Sequence, residues 1–191
     1  SNPSGRVESF YRTYNIDPDR KVVLIALTWV REKGGYYNNY EVLESNKRFF
    51  DDLLKFNEKH GDKYYFLIKL HPHDIKKDLT RNLAVHNSDN MRVFQHFDLD
   101  LLLDASDIVL SQWSNVCIDA IMKDKKLFIV DYTGKKDIYN FREYNIRKLE
   151  NMDHLEETLL SAEGNVDLSG SVRMRNDYEH FNDGASAERI S

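Results

Sequence analysis

The chain has 191 residues, a net charge of −5 and one cysteine, Cys117. That length suits one domain able to bury its own core. A single cysteine excludes an internal disulfide or a cysteine-built zinc site, and the mild acidity argues against a general nucleic-acid binder. With 41% apolar residues and no apolar run near the ~18 needed to cross a bilayer, the chain reads as a folded domain, neither disordered nor membrane-spanning.

Asn2-Pro3-Ser4-Gly5 reads as a loop. Residues 21–27 form a short continuous apolar run, the mark of a strand buried on both faces. Residues 44–60 carry Phe49, Leu53, Leu54 and Phe56 at helical spacing. A second strand is expected over 64–70, stopped by His71-Pro72-His73, and a helix over 74–83. A third strand follows at 91–94, a short helix at 98–105, a fourth strand at 108–110 and a helix at 115–123. The fifth strand is 127–130, and helices over 153–162 and 171–181 complete the pattern. Five such strands alternating with helices predict an α/β fold, a Rossmann-like doubly wound parallel sheet.

Ligands in this architecture bind beyond the carboxyl ends of the strands. The residues there are Thr28-Trp29, His71-Pro72-His73, Gln95-His96, Ser111-Gln112-Trp113-Ser114 and Asp131-Tyr132-Thr133-Gly134. The stretch after the fourth strand is the most informative. Ser114 is a good N-cap, and the free N–H groups of the following helix make a ready anion site, to which Ser111 and Ser114 add hydroxyls. Asn115, Asp119 and Lys123 share one helical face, while Val116, Cys117, Ile118, Ala120, Ile121 and Met122 are expected to be buried. Asp119, one turn in, could accept hydrogen bonds from a ribose diol. Alternatively the stripe faces water and Asp119 pairs with Lys123.

Lys69 and His71 could contact a diphosphate. His71 and His73, with Asp74, could instead be metal ligands or surface groups, and nothing else in the sequence supports a metal. Trp29 and Trp113 could stack on a base or pack in the core. Asp183-Gly184-Ala185-Ser186 suits a tight turn opening a helix, a second anion cradle through Ser186. Cys117 reads as a buried small hydrophobe. The sequence holds no GxGxxG, Walker or GxSxG motif, which lowers the dehydrogenase, P-loop and α/β-hydrolase readings.

In order and spacing, several segments resemble the C-terminal, donor-binding domain of GT-B glycosyltransferase-like enzymes, most of all the CDP-glycerol glycerophosphotransferase family of teichoic acid and capsule synthesis. They are Asn2-Pro3-Ser4-Gly5-Arg6, residues 16–24, Ala26-Leu27-Thr28-Trp29, Lys69-Leu70-His71-Pro72, residues 106–119, and Phe181 with Asp183-Gly184-Ala185-Ser186 leading to Arg189-Ile190. The family often has Thr-Asp-Tyr-Ser-Ser where this chain has Ser111-Gln112-Trp113-Ser114-Asn115, and Arg at the position of Lys69.

The resemblance implies one half of a GT-B fold. Residues 1–20 would be a leading segment or linker from a missing N-terminal domain, and 21–191 the nucleotide-donor-binding domain. The opening without an initiator Met is expected of a piece cut from a longer enzyme. Lys69, His71, Ser111, Ser114 and Asn115 would hold the donor phosphates and Asp119 the ribose, with Thr28, Trp29, Trp113 and Ser186 as candidate base or loop contacts. The catalytic base would lie in the missing domain. The donor, a nucleotide-activated sugar or polyol, is a substrate, so no cofactor and no metal are expected. The acceptor would be a polysaccharide or lipid-linked polymer, and the location cytoplasmic, at the inner face of the membrane. The alternatives are a UDP-sugar 2-epimerase-like isomerase domain and a non-catalytic nucleotide-sugar-binding domain.

Overall fold

The computed structural model describes residues 3–27, 39–71, 89–112, 114–133, 141, 143–161 and 167–181. In chain order the elements are α1 (Pro3–Tyr14), β1 (Lys21–Ala26), α2 (Asn39–His60), β2 (Tyr64–Lys69), β3 (Met91–Phe94), α3 (Leu99–Asp104), β4 (Ile108–Ser111), α4 (Asn115–Met122), β5 (Lys126–Val130), β6 (Lys148–Leu149), α5 (Met152–Ser161) and α6 (Ser169–Phe181). The strands form one sheet in the order β3-β2-β1-β4-β5-β6, every pairing parallel. The order reverses between β1 and β4, which makes their carboxyl ends the switch point of the fold.

The apolar runs become strands because helices cover both faces and leave no side exposed. Alternate residues divide between two cores. Val22, Leu24, Tyr65, Leu67, Val109 and Ile129 pack with Phe10 of α1, Leu102 of α3, Cys117 and Ile121 of α4 and Met174 of α6. Val23, Ile25, Phe66, Ile68, Leu110 and Val130 pack with Phe49, Leu53 and Phe56 of α2 and Leu155 and Leu159 of α5. Gly170 lets α6 approach closely, since a Cβ there would lie 1.5 Å from the carbonyl oxygen of Tyr144.

Two elements escape the sequence pattern. The Asn2-Pro3-Ser4-Gly5 stretch reads as a loop, yet α1 begins at Pro3, where a proline suits the first helical position. This helix belongs to the core: Phe10 is buried against Tyr14, with ring centroids 4.8 Å apart, and the Tyr11 hydroxyl donates to the Ala105 carbonyl at 2.8 Å. The second is β6, whose two residues are too few to give an apolar run. Helix α2 also starts earlier than residue 44, at Asn39. The helix expected over 74–83 lies outside the described residues.

Candidate functional site

At the switch point, register sets Lys69, Ala26 and Ser111 in one row, because Ile25 pairs with both Ile68 and Leu110. Two strand spacings, about 9–10 Å, therefore separate Lys69 from Ser111. Ser111 is wholly buried and its hydroxyl donates to the Ala26 carbonyl at 2.6 Å. Its proton is committed to joining β1 and β4. Ser114 takes an extended conformation (φ −145°, ψ 163°) and accepts from Val116 N at 3.3 Å, so it is the N-cap of α4 as its residue type predicts. Its oxygen lies 3.4 Å from that of Ser111.

Helix α4 points its amino end at this crevice. Cys117, Ala120 and Ile121 are buried, and Asn115 and Asp119 are exposed. Met122 corrects the expectation of burial: it is 39% exposed. Lys123 does not pair with Asp119. Its ammonium bridges Asp100 at 2.9 Å and Asp104 at 2.6 Å, and those hydrogen bonds, Asp104's first, raise its pKa. Among the described residues Asp119 forms no ion pair, so its carboxylate faces solvent one turn beyond the helix start. It lines a hollow of about 320 Å³ with Leu99, Asp100, Leu103, Met122 and Lys123.

Lys69, half-buried at the end of β2, donates to the carbonyls of Leu70 at 2.8 Å and Gln95 at 2.7 Å. It thus ties the segments leaving β2 and β3. His71 is half-buried two residues past β2. After β5, buried Asp131 pairs with Lys148 at 2.8 Å and accepts from Thr133 Oγ1 at 2.7 Å. The Tyr132 hydroxyl donates to Asp52 at 3.1 Å, and burial pushes its pKa up. Thr28, Trp29, His73, Asp74, Trp113 and Ser186 lie outside the described residues. No group of three or more His, Cys, Asp or Glu side chains that could hold a metal occurs among the described residues. A larger hollow, about 480 Å³, opens at the amino ends of β5 and β6, away from the crevice, with Leu127, Phe128, Arg147 and Leu168 in its wall.

Sequence reasoning missed Asn46. It is buried on α2 and accepts from Gln112 Nε2 at 2.6 Å. The signal was a polar residue at an apolar helical position, between Val42 and Phe49 and in line with Leu53.

A family model described as CDP-Glycerol:Poly(glycerophosphate) glycerophosphotransferase matches residues 2–191. The chain belongs to this glycerophosphotransferase family. The teichoic acid poly(ribitol-phosphate) polymerase of Bacillus spizizenii is 31% identical over 140 residues, 69% of this chain and 21% of that protein. Among solved structures, the wall teichoic acid polymerase TagF soaked with CDPG aligns over 95% of this chain and 40% of its own, with a TM-score of 0.55 at 17% identity. An S. aureus MnaA–UDP structure aligns over 91% and 48%, with a TM-score of 0.57 at 12% identity. These two show the shared fold, a Rossmann-like unit of GT-B enzymes. The glycerophosphotransferase-family chain thus spans about a fifth of the curated relative and less than half of either structure. No described helix is long and apolar enough to cross a membrane.

Proposed function

We propose that this chain is the donor-binding half of a transferase. It would move a polyol phosphate, of the glycerol or ribitol phosphate kind, or a sugar from a nucleotide-activated donor to a teichoic-acid-type or other cell-surface polymer. The observation that carries the reading is the Ser114-capped start of α4 at the switch point, on a chain matched by the family over residues 2–191. Amides at a helix start stabilise the charge that develops on a departing phosphate, and they do so without a metal. Ser114 and Asn115 would contact the diphosphate, with His71 approaching from the neighbouring strand end. Asp119 would bind the ribose, with the hollow beside it open to the nucleoside. Lys69 and Ser111 serve the site through the backbone they hold, given their bonds to the carbonyls of Leu70, Gln95 and Ala26. Thr28, Trp29, Trp113 and Ser186 remain assigned to base or loop contacts. Acceptor binding and the general base are assigned to a further domain, and the reaction to the cytoplasmic face of the membrane.

In polyol phosphate transfer an acceptor hydroxyl attacks the phosphorus bearing the polyol. The bond to the bridging oxygen breaks, and the nucleoside monophosphate leaves. Sugar transfer releases the nucleoside diphosphate instead. The test incubates the enzyme containing this domain with CDP-glycerol or CDP-ribitol and a primed polymer, and follows CMP. CMP release that requires the acceptor supports the reading. Acceptor-independent epimerisation of UDP-N-acetylglucosamine, with no transfer, would replace it with the isomerase reading.

A further inference from the structure

Asn46 and Gln112 meet inside the protein, 4% and 0% exposed, with Gln112 Nε2 donating to Asn46 Oδ1 at 2.6 Å. No water competes for a hydrogen bond so enclosed, and its geometry is correspondingly well defined. Gln112 is held at its main chain too. Its carbonyl accepts from Ser114 N at 2.8 Å and from Cys117 Sγ at 2.7 Å, both at the first turn of α4. The preceding residue, Ser111, is pinned to the Ala26 carbonyl of β1. Two consecutive residues just ahead of the N-cap are therefore fastened, one to β1 and one to α2.

We propose that Asn46 is a positioning residue for the diphosphate: through Gln112 it sets the direction in which the first N–H groups of α4 point. The proposal rests on the donor-site reading above. Helix-start amides hold an anion only when aimed at it, and loss of a supporting tether lets them drift from that geometry. Asn46 reaches the turn from a helix 66 positions away in sequence.

Stability and positioning separate in a pair of variants. Asn46→Leu takes from buried Gln112 Nε2 its acceptor on α2, which destabilises the fold and frees the turn from that helix. Adding Gln112→Met removes the Nε2 group that lost this acceptor, so part of the stability returns, while the tether stays absent. The experiment measures CDP affinity by calorimetry, and the melting temperature, for this chain and both variants. The expected result is CDP binding weakened about tenfold in both, with the melting temperature lower in Asn46→Leu than in the double variant. Affinity within twofold of wild type in the double variant would overturn the proposal and leave Asn46 a structural residue only. If Asn46→Leu does not fold, the double variant decides alone. If the unaltered chain fails to bind CDP at millimolar concentration, the donor-site reading fails, and the positioning role falls with it.

Discussion

Replacing Ser114 by Asp separates the two tasks given to that residue. Aspartate caps a helix as well as serine and favours the positive end of the dipole. Ser114 is half-buried and its present bond to Val116 N is long, at 3.3 Å. The substitution should therefore change stability by no more than about 0.5 kcal/mol, about 2 °C in melting temperature. A diphosphate on the free amides of α4 would sit within about 5 Å of the new carboxylate. At an effective dielectric of about 20, two unit charges at that distance repel by about 3 kcal/mol, more than a hundredfold in affinity. Ser114→Ala does the reverse: the lost cap costs about 1 kcal/mol, about 2–4 °C, while CDP binding weakens about tenfold or less. Thermal unfolding with and without CDP reads both. Ligand at about 100 times its Kd stabilises by about 2.7 kcal/mol, a rise of about 5–10 °C. The rise should persist in the alanine variant and vanish in the aspartate variant, whose unliganded melting temperature is unchanged. A full CDP-dependent rise in Ser114→Asp would refute an anion at this helix start.

Asp119→Ala should remove most of the CDP-dependent rise and leave the unliganded melting temperature alone, because the side chain is exposed; an unchanged rise would take Asp119 out of the site. Lys148→Met strands buried Asp131 and should cost about 3–5 kcal/mol in urea unfolding, most of it recovered on adding Asp131→Asn; equal losses for single and double variants would show that the pair does not act as a unit. Burial holds the Tyr11 hydroxyl up at about 12, with Asp107 adding to it, and burial also raises Tyr65 and Tyr132. Their neutral forms are favoured in the folded state, so stability should be full below pH ~10 and fall as the pH climbs toward 12, where the unfolded chain loses protons first. Urea midpoints that stay level from pH 9 to 11.5 would contradict this.

Most of the sheet was legible because β1, β2, β4 and β5 are buried on both faces and read as near-continuous apolar runs. The start of α4 was legible because Ser114 caps it by local chemistry that needs no tertiary context. Other features depend on distant partners. Phe10 helps make α1 part of the core by packing against Phe94 and Phe97, from more than 80 positions away. Lys69 and Ser111 carry the residue types of a phosphate site, but the sequence cannot show that carbonyls of adjoining strands take up their hydrogens. Met122 sits at an apolar position that the described residues leave 39% exposed, and Asn46 at an apolar position that Gln112 makes polar. In each case the partner that decides a residue's meaning lies on another element.

The central claim is the place where the nucleotide binds. Titrating CDP into the isotopically labelled chain and following backbone amides by NMR tests it directly. The account predicts the largest shifts at Ser114, Asn115 and Val116, with Asp119 following. Shifts centred on Arg147, Leu168 and Ser171 near the amino ends of β5 and β6, or none at millimolar CDP, would contradict it.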